Sequence, residues 1–222
     1  MLEFRMPGPT ALPTDRNGQV VYVVDDDEFV RAALASLLRS IDLDVRAFAS
    51  TEEFVAAPKG TGPSCLVLDV RLRGQSGIAF QRSLIEKGGP QMPIIFMTGH
   101  GDVTMAVKAM KAGALDFLTK PFRDQDMIDA VIAALDRDAK RLEADHSLVN
   151  LRACWESLTP REREVLQHVA AGLMNKQVAG SMGIAEITVK IHRGQAMRKM
   201  QCRSVAELVR KTSVLGIGLP ER

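Results

Sequence analysis

Acidic residues follow two apolar segments that are typical of buried β-strands. Asp25 and Asp26 come directly after the segment VVYVV, and Asp69 ends the segment CLVLD. An unpaired carboxylate at the end of a buried strand is costly, so a cation is its expected partner. Mg²⁺ suits such a group because it accepts one or two carboxylates, keeps several waters and takes phosphate oxygens as its remaining ligands. The three carboxylates therefore predict a Mg²⁺ site if the fold brings them together.

A hydroxyl and an ammonium group end two later segments. Thr98 closes the segment PIIFMT, and Lys120 closes DFLTK just before Pro121. Phosphoryl transfer to an oxygen nucleophile depends mainly on positioning and charge neutralisation, which these groups supply beside a metal-bound carboxylate. Asp69 is then the nucleophile, and the product is an acyl phosphate. Each residue alone has an ordinary explanation as a helix cap or surface group, but their joint placement favours phosphoryl transfer.

Five strands alternating with helices have to position these groups. Short apolar runs rich in β-branched residues alternate with amphipathic stretches at about 27–40, 51–57, 77–87, 102–112 and from 123 onward. This alternation predicts a doubly wound α/β domain whose five-stranded, mostly parallel sheet is covered on both faces. In the flavodoxin-like strand order 2-1-3-4-5, strands 1 and 3 are neighbours at the switch point where ligands bind. That order would bring the three carboxylates together.

This first domain resembles the receiver domain of FixJ/StyR-type response regulators in the segments VVDDDEFVR, LDVRLRGQSG and FMTGHGDVTMAVKAMKAGALDFLTKPF. The resemblance spans roughly residues 19–140 and implies that a sensor histidine kinase phosphorylates Asp69. It also implies a cis peptide bond before Pro121, and Asp27 is expected to cap a helix. The further roles that it implies are metal binding by Asp25, Asp26, Asp69 and the backbone carbonyl of Arg71, phosphate contact by Thr98 and Lys120, and switching by Phe117.

One position departs from the usual receiver pattern. Relatives usually read DVRMPGMSG at the phosphoacceptor, whereas this chain reads DVRLRGQSG, with Arg73 at the proline position. Three interpretations stay open at this stage. The loop after Asp69 is more mobile, the extra cation changes the lifetime of the phosphate, or the change is a harmless surface substitution.

After Leu158 the pattern changes to that of a small all-α domain. Thr159 and Pro160 form a helix start, and a tight turn at Gly183 joins a short helix to a longer one in a helix-turn-helix arrangement. A recognition helix needs an exposed cationic face on an apolar base. For the longer helix, the cations are Lys190, His192, Arg193, Arg198 and Lys199, and the candidates for the core are Ile187, Val189 or Ile191, and Met197 or Met200.

Charge divides the chain into two different halves. Residues 150–222 hold 12 Lys and Arg against 6 Asp and Glu, whereas residues 1–149 hold 17 against 21. A basic segment joined to an acidic one suggests that the basic half binds a polyanion. The three cysteines have no metal-ligand spacing, and no run reaches the ~18 apolar residues of a membrane span. We therefore expect a cytoplasmic protein with free thiols and no membrane contact.

The basic half resembles the LuxR-type DNA-binding domain across residues 156–213, above all in LTPREREVL, NKQVA and TVKIH. The resemblance implies binding of double-stranded promoter DNA. Gly194 lacks a side chain where some relatives have Lys, so base readout there is absent or depends on DNA shape. His192 is expected to pack or to contact phosphate. The implied positions are Lys190, Ile191 and Gly194 toward the bases, and Thr188, Arg193 and Lys199 toward the backbone.

The predicted organisation is a flexible tail over 1–17, a receiver over 18–138, a helical linker over 139–155 and a DNA-binding domain over 156–222. The linker carries a heptad spacing in Ile128, Leu135, Leu142 and Val149. Such spacing is typical of a continuous helix and of a dimer seam. The alternative is that only the first half of the helix packs on the sheet and the rest is a solvated connector.

The sequence thus predicts a phosphorylation-activated transcription regulator of a two-component system rather than an enzyme. We expect it to form a homodimer on activation, with RNA polymerase as a further partner. Phosphatases that act through an aspartyl phosphate usually have a second acid two residues after the nucleophile, where this chain has Arg71. A constitutive DNA-binding protein with a receiver scaffold is the third alternative, and the complete set of acids disfavours it.

Overall fold

The computed structural model describes residues 18–99 and 103–217. The predicted tail over 1–17 lies outside the described residues. The chain divides into two compact units, one ending at Leu142 and the other beginning at Glu143. The exact domain limits stay predictions.

The first unit contains a five-stranded parallel sheet with the strand order β2-β1-β3-β4-β5. The predicted α/β class and strand order are therefore confirmed. Every residue of the two central strands β1 and β3 is buried, which explains their continuous apolar sequence. The strands are β1 (Val20–Val24), β2 (Asp44–Phe48), β3 (Ser64–Asp69), β4 (Ile94–Thr98) and β5 (Asp116–Thr119).

Five helices cover the two faces of this sheet. Alternate strand residues point to opposite faces, so Val21 and Val23 join one core with α1 and α5, while Tyr22 joins the other with α2, α3 and α4. The sheet is thereby buried on both sides and leaves its carboxyl edge open for a site. The helices are α1 (Glu28–Arg39), α2 (Thr51–Ala56), α3 (Gly77–Glu86), α4 (Val103–Lys111) and α5 (Asp124–Glu156).

Local capping fixes the loops at the carboxyl edge. The Asp27 carboxylate accepts hydrogen bonds from the backbone N–H groups of Phe29 and Val30, so its prediction as a helix cap is confirmed. Ser50 caps α2 in the same way. The peptide bond between Lys120 and Pro121 is cis, as the resemblance implied.

Helix α5 runs from Asp124 to Glu156 and therefore includes residues 139–155, the predicted linker. Its buried residues end at Asp138, whose carboxylate accepts hydrogen bonds from the backbone N–H of Ser64 and from Arg141. Residues 139–150 are half-buried or exposed, and Val149 of the heptad is 62% exposed. Within this chain, the pattern of burial fits a helix whose first half packs on the sheet.

Up to residue 217, the second unit contains four further helices around its own apolar core. Thr159 and Glu162 form a reciprocal capping box at the start of α6, as the Thr-Pro start predicted. Gly183 has φ +65°, a left-handed conformation suited to glycine, in the turn between α7 and α8. The helices are α6 (Pro160–Ala170), α7 (Asn175–Met182), α8 (Glu186–Lys199) and α9 (Val205–Val214).

One set of core candidates on α8 requires correction. Val189 is fully buried and Met200 is 1% exposed, but Ile187 is 64% exposed and Ile191 is 53% exposed. The apolar side of α8 faces α6 and α7 through Val189 and Ala196, and both isoleucines lie on the other side. Ile187 is therefore not a core residue. In the described part of the chain, no helix combines the length and apolar character of a membrane span.

Candidate functional site

The carboxyl edge of the sheet brings together the three carboxylates predicted to bind Mg²⁺. Carboxylate oxygens of Asp25, Asp26 and Asp69 all lie within 4.8 Å of one another. The parallel register explains this arrangement, because Val24 of β1 pairs with Leu68 of β3 and the two strands end side by side. Oxygen donors this close together can share one hard divalent cation. The residues of this site therefore fit Mg²⁺.

Lys120 supplies a positive charge to the same site from the end of β5. Its Nζ donates to Oδ2 of Asp25 at 2.7 Å and lies 3.7 Å from Oδ1 of Asp69. The backbone N–H of Lys120 donates to the carbonyl of Thr98 at 2.7 Å, which ties the end of β5 to that of β4. Because Asp25 is 1% exposed, the ammonium compensates a carboxylate that water barely reaches.

The charge of Asp69 is only partly compensated. Burial raises the pKa of Asp69, and the nearby carboxylates of Asp25 and Asp26 raise it further. Lys120 and a backbone hydrogen bond at Arg71 lower the pKa, but they do not cancel the increase. A carboxylate in this environment gains from any added cation that approaches its oxygens.

Thr98 and Phe117 occupy neighbouring strands at the side of the site. Thr98 is fully buried at the end of β4, next to β3, which carries Asp69. Phe117 is half-buried on β5, pairs with Phe96 of β4 and packs against the core on the α2, α3 and α4 side. The sheet therefore places Thr98 on the strand next to that of Asp69 and the Phe117 ring one strand further away.

A short hairpin follows Asp69 and borders the acidic cleft. It pairs Arg71–Leu72 with Gln75–Ser76, and Gly74 has φ +86° in its turn. At Gly77 an added Cβ would lie 2.3 Å from the backbone oxygen of Asp69, so glycine allows the chain to return closely to the strand. The hairpin places the backbone of Arg71 beside the acids.

The recognition-helix candidates divide into an outward face and a set of internally bonded cations. Lys190, Ile191 and Gly194 are exposed on α8, and a Cβ added at Gly194 would meet open space. Thr188 and His192 are half-buried. The outward face therefore contains the three positions expected to face bases.

Several cations of α8 already have partners in the second unit. Lys199 donates to Oε2 of Glu162 at 2.7 Å, and Arg193 donates to Oδ1 of Asn175 at 2.8 Å. Burial raises the pKa of Glu162, but hydrogen bonds from Lys199 and Thr159 outweigh it and hold that pKa below its ordinary value. These bonds fasten α8 to α6 and α7, so both cations also have structural roles.

Two families match the two units of the chain. The response regulator receiver domain matches residues 21–132, and the bacterial regulatory proteins of the luxR family match residues 156–212. Nodulation protein W of Bradyrhizobium diazoefficiens is 53% identical over 198 residues, which cover 89% of this chain and 87% of that protein. The chain belongs to the NarL/FixJ-type response regulators.

The similarity to further relatives extends over both units of this response regulator. The transcriptional regulatory protein FixJ of Azorhizobium caulinodans is 44% identical over 197 residues, covering 89% of this chain and 93% of that protein. The solved structure of the response regulator StyR has a TM-score of 0.79 and 45% identity, covering 88% of this chain and 98% of that one. These relatives are named as regulators rather than enzymes.

Sequence reasoning missed three parts of the response regulator's sites. Ile187 was one of the candidates for the core, although its separation of two residues from Val189 corresponds to a rotation of about 200° and places it on the opposite side of the helix. The structural bonds of Arg193 and Lys199 could not be found from the cationic pattern. The contact of Arg73 with Asp26 also had no signal beyond the unusual residue type.

Proposed function

We propose that this response regulator is a phosphorylation-activated transcription regulator of a two-component system. The observation that carries the proposal is the meeting of Asp25, Asp26, Asp69 and Lys120 at one edge of the sheet, in a chain that also carries a LuxR-type DNA-binding domain. Phosphoryl transfer needs an oxygen nucleophile among compensating charges, and this edge supplies both.

The proposed reaction is transfer of a phosphoryl group from a phosphohistidine of a sensor kinase. A carboxylate oxygen of Asp69 attacks phosphorus, the P–N bond breaks as the P–O bond forms, and the imidazole nitrogen keeps the released electron pair. Lys120 and the Thr98 hydroxyl stabilise the phosphoryl oxygens. Mg²⁺, held by Asp25, Asp26, Asp69 and the backbone carbonyl of Arg71, supplies further neutralisation of negative charge when bound.

Phosphorylation would then change the face formed by β4, α4 and β5. Thr98 turns toward the phosphate, and Phe117, which is half-buried, moves further inward. We propose that the altered face forms a homodimer. Two DNA-binding units then occupy adjacent half-sites on double-stranded promoter DNA, where RNA polymerase is the expected further partner.

The outward face of α8 is the proposed base-reading surface. Lys190 and Ile191 approach base edges in the major groove, and we add Ile187 to this group because it is 64% exposed on the same face. Gly194 leaves space there rather than a contact. The proposed contacts to the DNA backbone come from Thr188, His192, Arg193 and Lys199.

Phosphate acceptance is tested by incubating the protein with acetyl phosphate and MgCl₂ and measuring the intact mass. We expect an added mass of about 80 Da, that of one phosphoryl group, located on Asp69 by peptide mapping. Asp69→Asn should abolish the adduct, whereas Asp44→Asn, an exposed carboxylate on β2, should retain it. An adduct that persists in Asp69→Asn would contradict the assignment.

DNA binding is tested by selection from random double-stranded DNA with and without phosphorylation. We expect the phosphorylated protein to enrich a site with two half-sites, and the Asp69→Asn protein to give no such gain. Equal enrichment by the phosphorylated protein and by Asp69→Asn would favour constitutive DNA binding. It would contradict the proposed switch, while leaving the DNA-binding assignment intact.

A further inference from the structure

Arg73 lies in the turn after the phosphoacceptor strand and contacts a predicted metal ligand. Its Nε donates to Oδ2 of Asp26 at 2.9 Å. The Arg73 side chain is 88% exposed, and that of Asp26 is 25% exposed. The guanidinium therefore reaches from the solvent side of the cleft to a carboxylate oxygen that a metal ion would use.

The backbone keeps this arginine close to the acids. The Arg71–Leu72 and Gln75–Ser76 strands pair with each other, and Gly74 has a positive φ in the turn between them. The hairpin begins two residues after Asp69 and returns at Gly77, whose N–H donates to the carbonyl of Val70 at 2.9 Å. Arg73 is thus fixed at the border of the cleft even when its side chain moves.

The acids of the site are compensated from two sides. Lys120 approaches Asp25 and Asp69 from the end of β5, and Arg73 approaches Asp26 from the hairpin. Lys120 is 23% exposed and is held between two acids, whereas Arg73 is mostly in water. The arginine can therefore leave its carboxylate at a low cost, which a partly buried lysine cannot.

We propose that Arg73 competes with Mg²⁺ for Asp26 and lowers the affinity of the site for divalent cations. The inference rests on the proposed Mg²⁺ site. An ion that binds Asp26 has to displace the guanidinium from Oδ2 or bind beside its charge, and either route costs binding free energy. Because exposed ion pairs are weak, we expect the penalty to be about two- to fivefold in Mg²⁺ affinity.

As a consequence, phosphorylation of this response regulator requires a higher Mg²⁺ concentration than the same site would require without the charge of Arg73. Where the ion displaces the guanidinium from Asp26, the Arg73 side chain returns to the water at the border of the cleft. Of the three interpretations that the sequence left open for Arg73, the contact favours an effect of the extra cation at the site.

The test is a titration of the unphosphorylated full chain with MgCl₂. Backbone amide chemical shifts in NMR spectra, recorded at each MgCl₂ concentration, give the dissociation constant. Arg73→Met removes the charge and keeps a long side chain, so we expect two- to fivefold tighter Mg²⁺ binding. Arg73→Lys keeps a cation and should stay near the unchanged protein. Arg46→Met is the matched control, because it removes an arginine from an exposed ion pair with Asp44 on β2.

Three outcomes separate the possibilities. Tighter binding in Arg73→Met alone, with the difference shrinking at high NaCl, supports competition at Asp26. Equal dissociation constants in all four proteins overturn the inference but leave the Mg²⁺ site standing. If Mg²⁺ binds to none of the proteins, the inference falls together with the metal part of the proposed function, and phosphorylation of Asp69 is then tested separately by mass.

Discussion

Asp69 sits in surroundings that favour its uncharged form, although its proposed role requires a carboxylate. Burial raises its pKa, and the neighbouring acids add to the increase. The unfolded chain exposes the same group to water, so ionisation of Asp69 works against folding. Such an unfavourable charge is expected at a site built to receive a cation and a phosphoryl group.

The stability of Asp69→Asn should therefore depend on pH. Because its folded-state pKa is raised, the Asp69 carboxyl stabilises the fold below the ordinary Asp pKa of about 3.9, and this stability is lost as pH rises through the raised pKa. At pH 7 with EDTA we expect Asp69→Asn to melt about 2–4 °C above the unchanged protein, and the gap to narrow toward pH 4. Calorimetry measures the melting temperatures, with Asp44→Asn as the exposed control. A difference in melting temperature that widens at low pH would contradict the prediction.

The exposure of Ile187 changes its assignment from a candidate for the core to a candidate for DNA contact. An exposed isoleucine pair at i and i+4 stabilises a helix only slightly in water, but apolar side chains in the major groove can contact thymine methyl groups. Ile187 and Ile191 flank Lys190 on the outward face of α8. The pair is therefore suited to reading A·T base pairs next to a polar contact.

Ile187→Ala should weaken binding to the selected DNA site about fivefold, which corresponds to about 1 kcal/mol for the lost apolar contact. Replacing the contacted thymine by uracil should weaken the unchanged protein by a similar factor and the variant hardly at all. Fluorescence anisotropy with labelled DNA measures both effects. Ile85→Ala, which shortens an exposed isoleucine on α3, is the control. Equal sensitivity of both proteins to uracil would exclude this contact.

At the scale of elements, an ion pair between a buried carboxylate and the partly exposed Lys199 joins α8 to α6. Glu162 is 3% exposed, accepts from the Thr159 N–H in the capping box and receives the ammonium of Lys199. One carboxylate thus caps the start of α6, fills a buried position and binds a cation of α8. Removal of its cation would leave a buried negative charge.

Lys199→Met should lower the free energy of unfolding of the second unit by about 1–3 kcal/mol. Trp155, the one tryptophan of the chain, packs against the core of this unit, so its fluorescence during urea unfolding provides the measurement in the full chain. Lys190→Met is the control, since its exposed pair with Glu186 contributes little. Adding Glu162→Gln should recover part of the loss. An unchanged unfolding curve would leave Lys199 with a role in DNA contact alone.

At the scale of the whole molecule, charge separates the unit that we propose to receive the phosphoryl group from the unit that we propose to bind DNA. Residues 150–222 carry twice as many Lys and Arg as Asp and Glu, and the remainder of the chain is acidic. Opposite net charges let the basic part attract DNA while the acidic part does not.

DNA affinity should consequently fall steeply with salt. If the proposed dimer neutralises six to ten phosphates, affinity should fall by about 10³–10⁵ between 50 and 200 mM salt. Anisotropy titrations across that range give the slope of the logarithm of affinity against the logarithm of salt concentration. Arg198→Ala, on the exposed face of α8, should reduce the slope if it contacts a phosphate. A slope near zero would be incompatible with this binding mode.

The amino-acid sequence by itself determined the fold class, the strand order and the residue types of both sites. Strand ends such as Asp69, Thr98 and Lys120 are local features, and parallel topology forces them to one edge whatever the details of packing. Helix starts such as Thr159 are equally local, because a cap acts within three or four residues. These predictions needed no knowledge of which distant side chains touch.

Only the tertiary structure decided which cationic side chain pairs with which carboxylate. Arg73 contacts Asp26 across 47 residues, and Lys199 contacts Glu162 across 37, so neither pair has a signature in local spacing. The outward position of Ile187 likewise depends on the side of α8 that packs against α6 and α7. Side-chain pairing depends on how separate elements approach one another. For that reason the sequence supplied the residue types of the proposed phosphoacceptor site, but not the pairing of its carboxylates with Lys120 and Arg73.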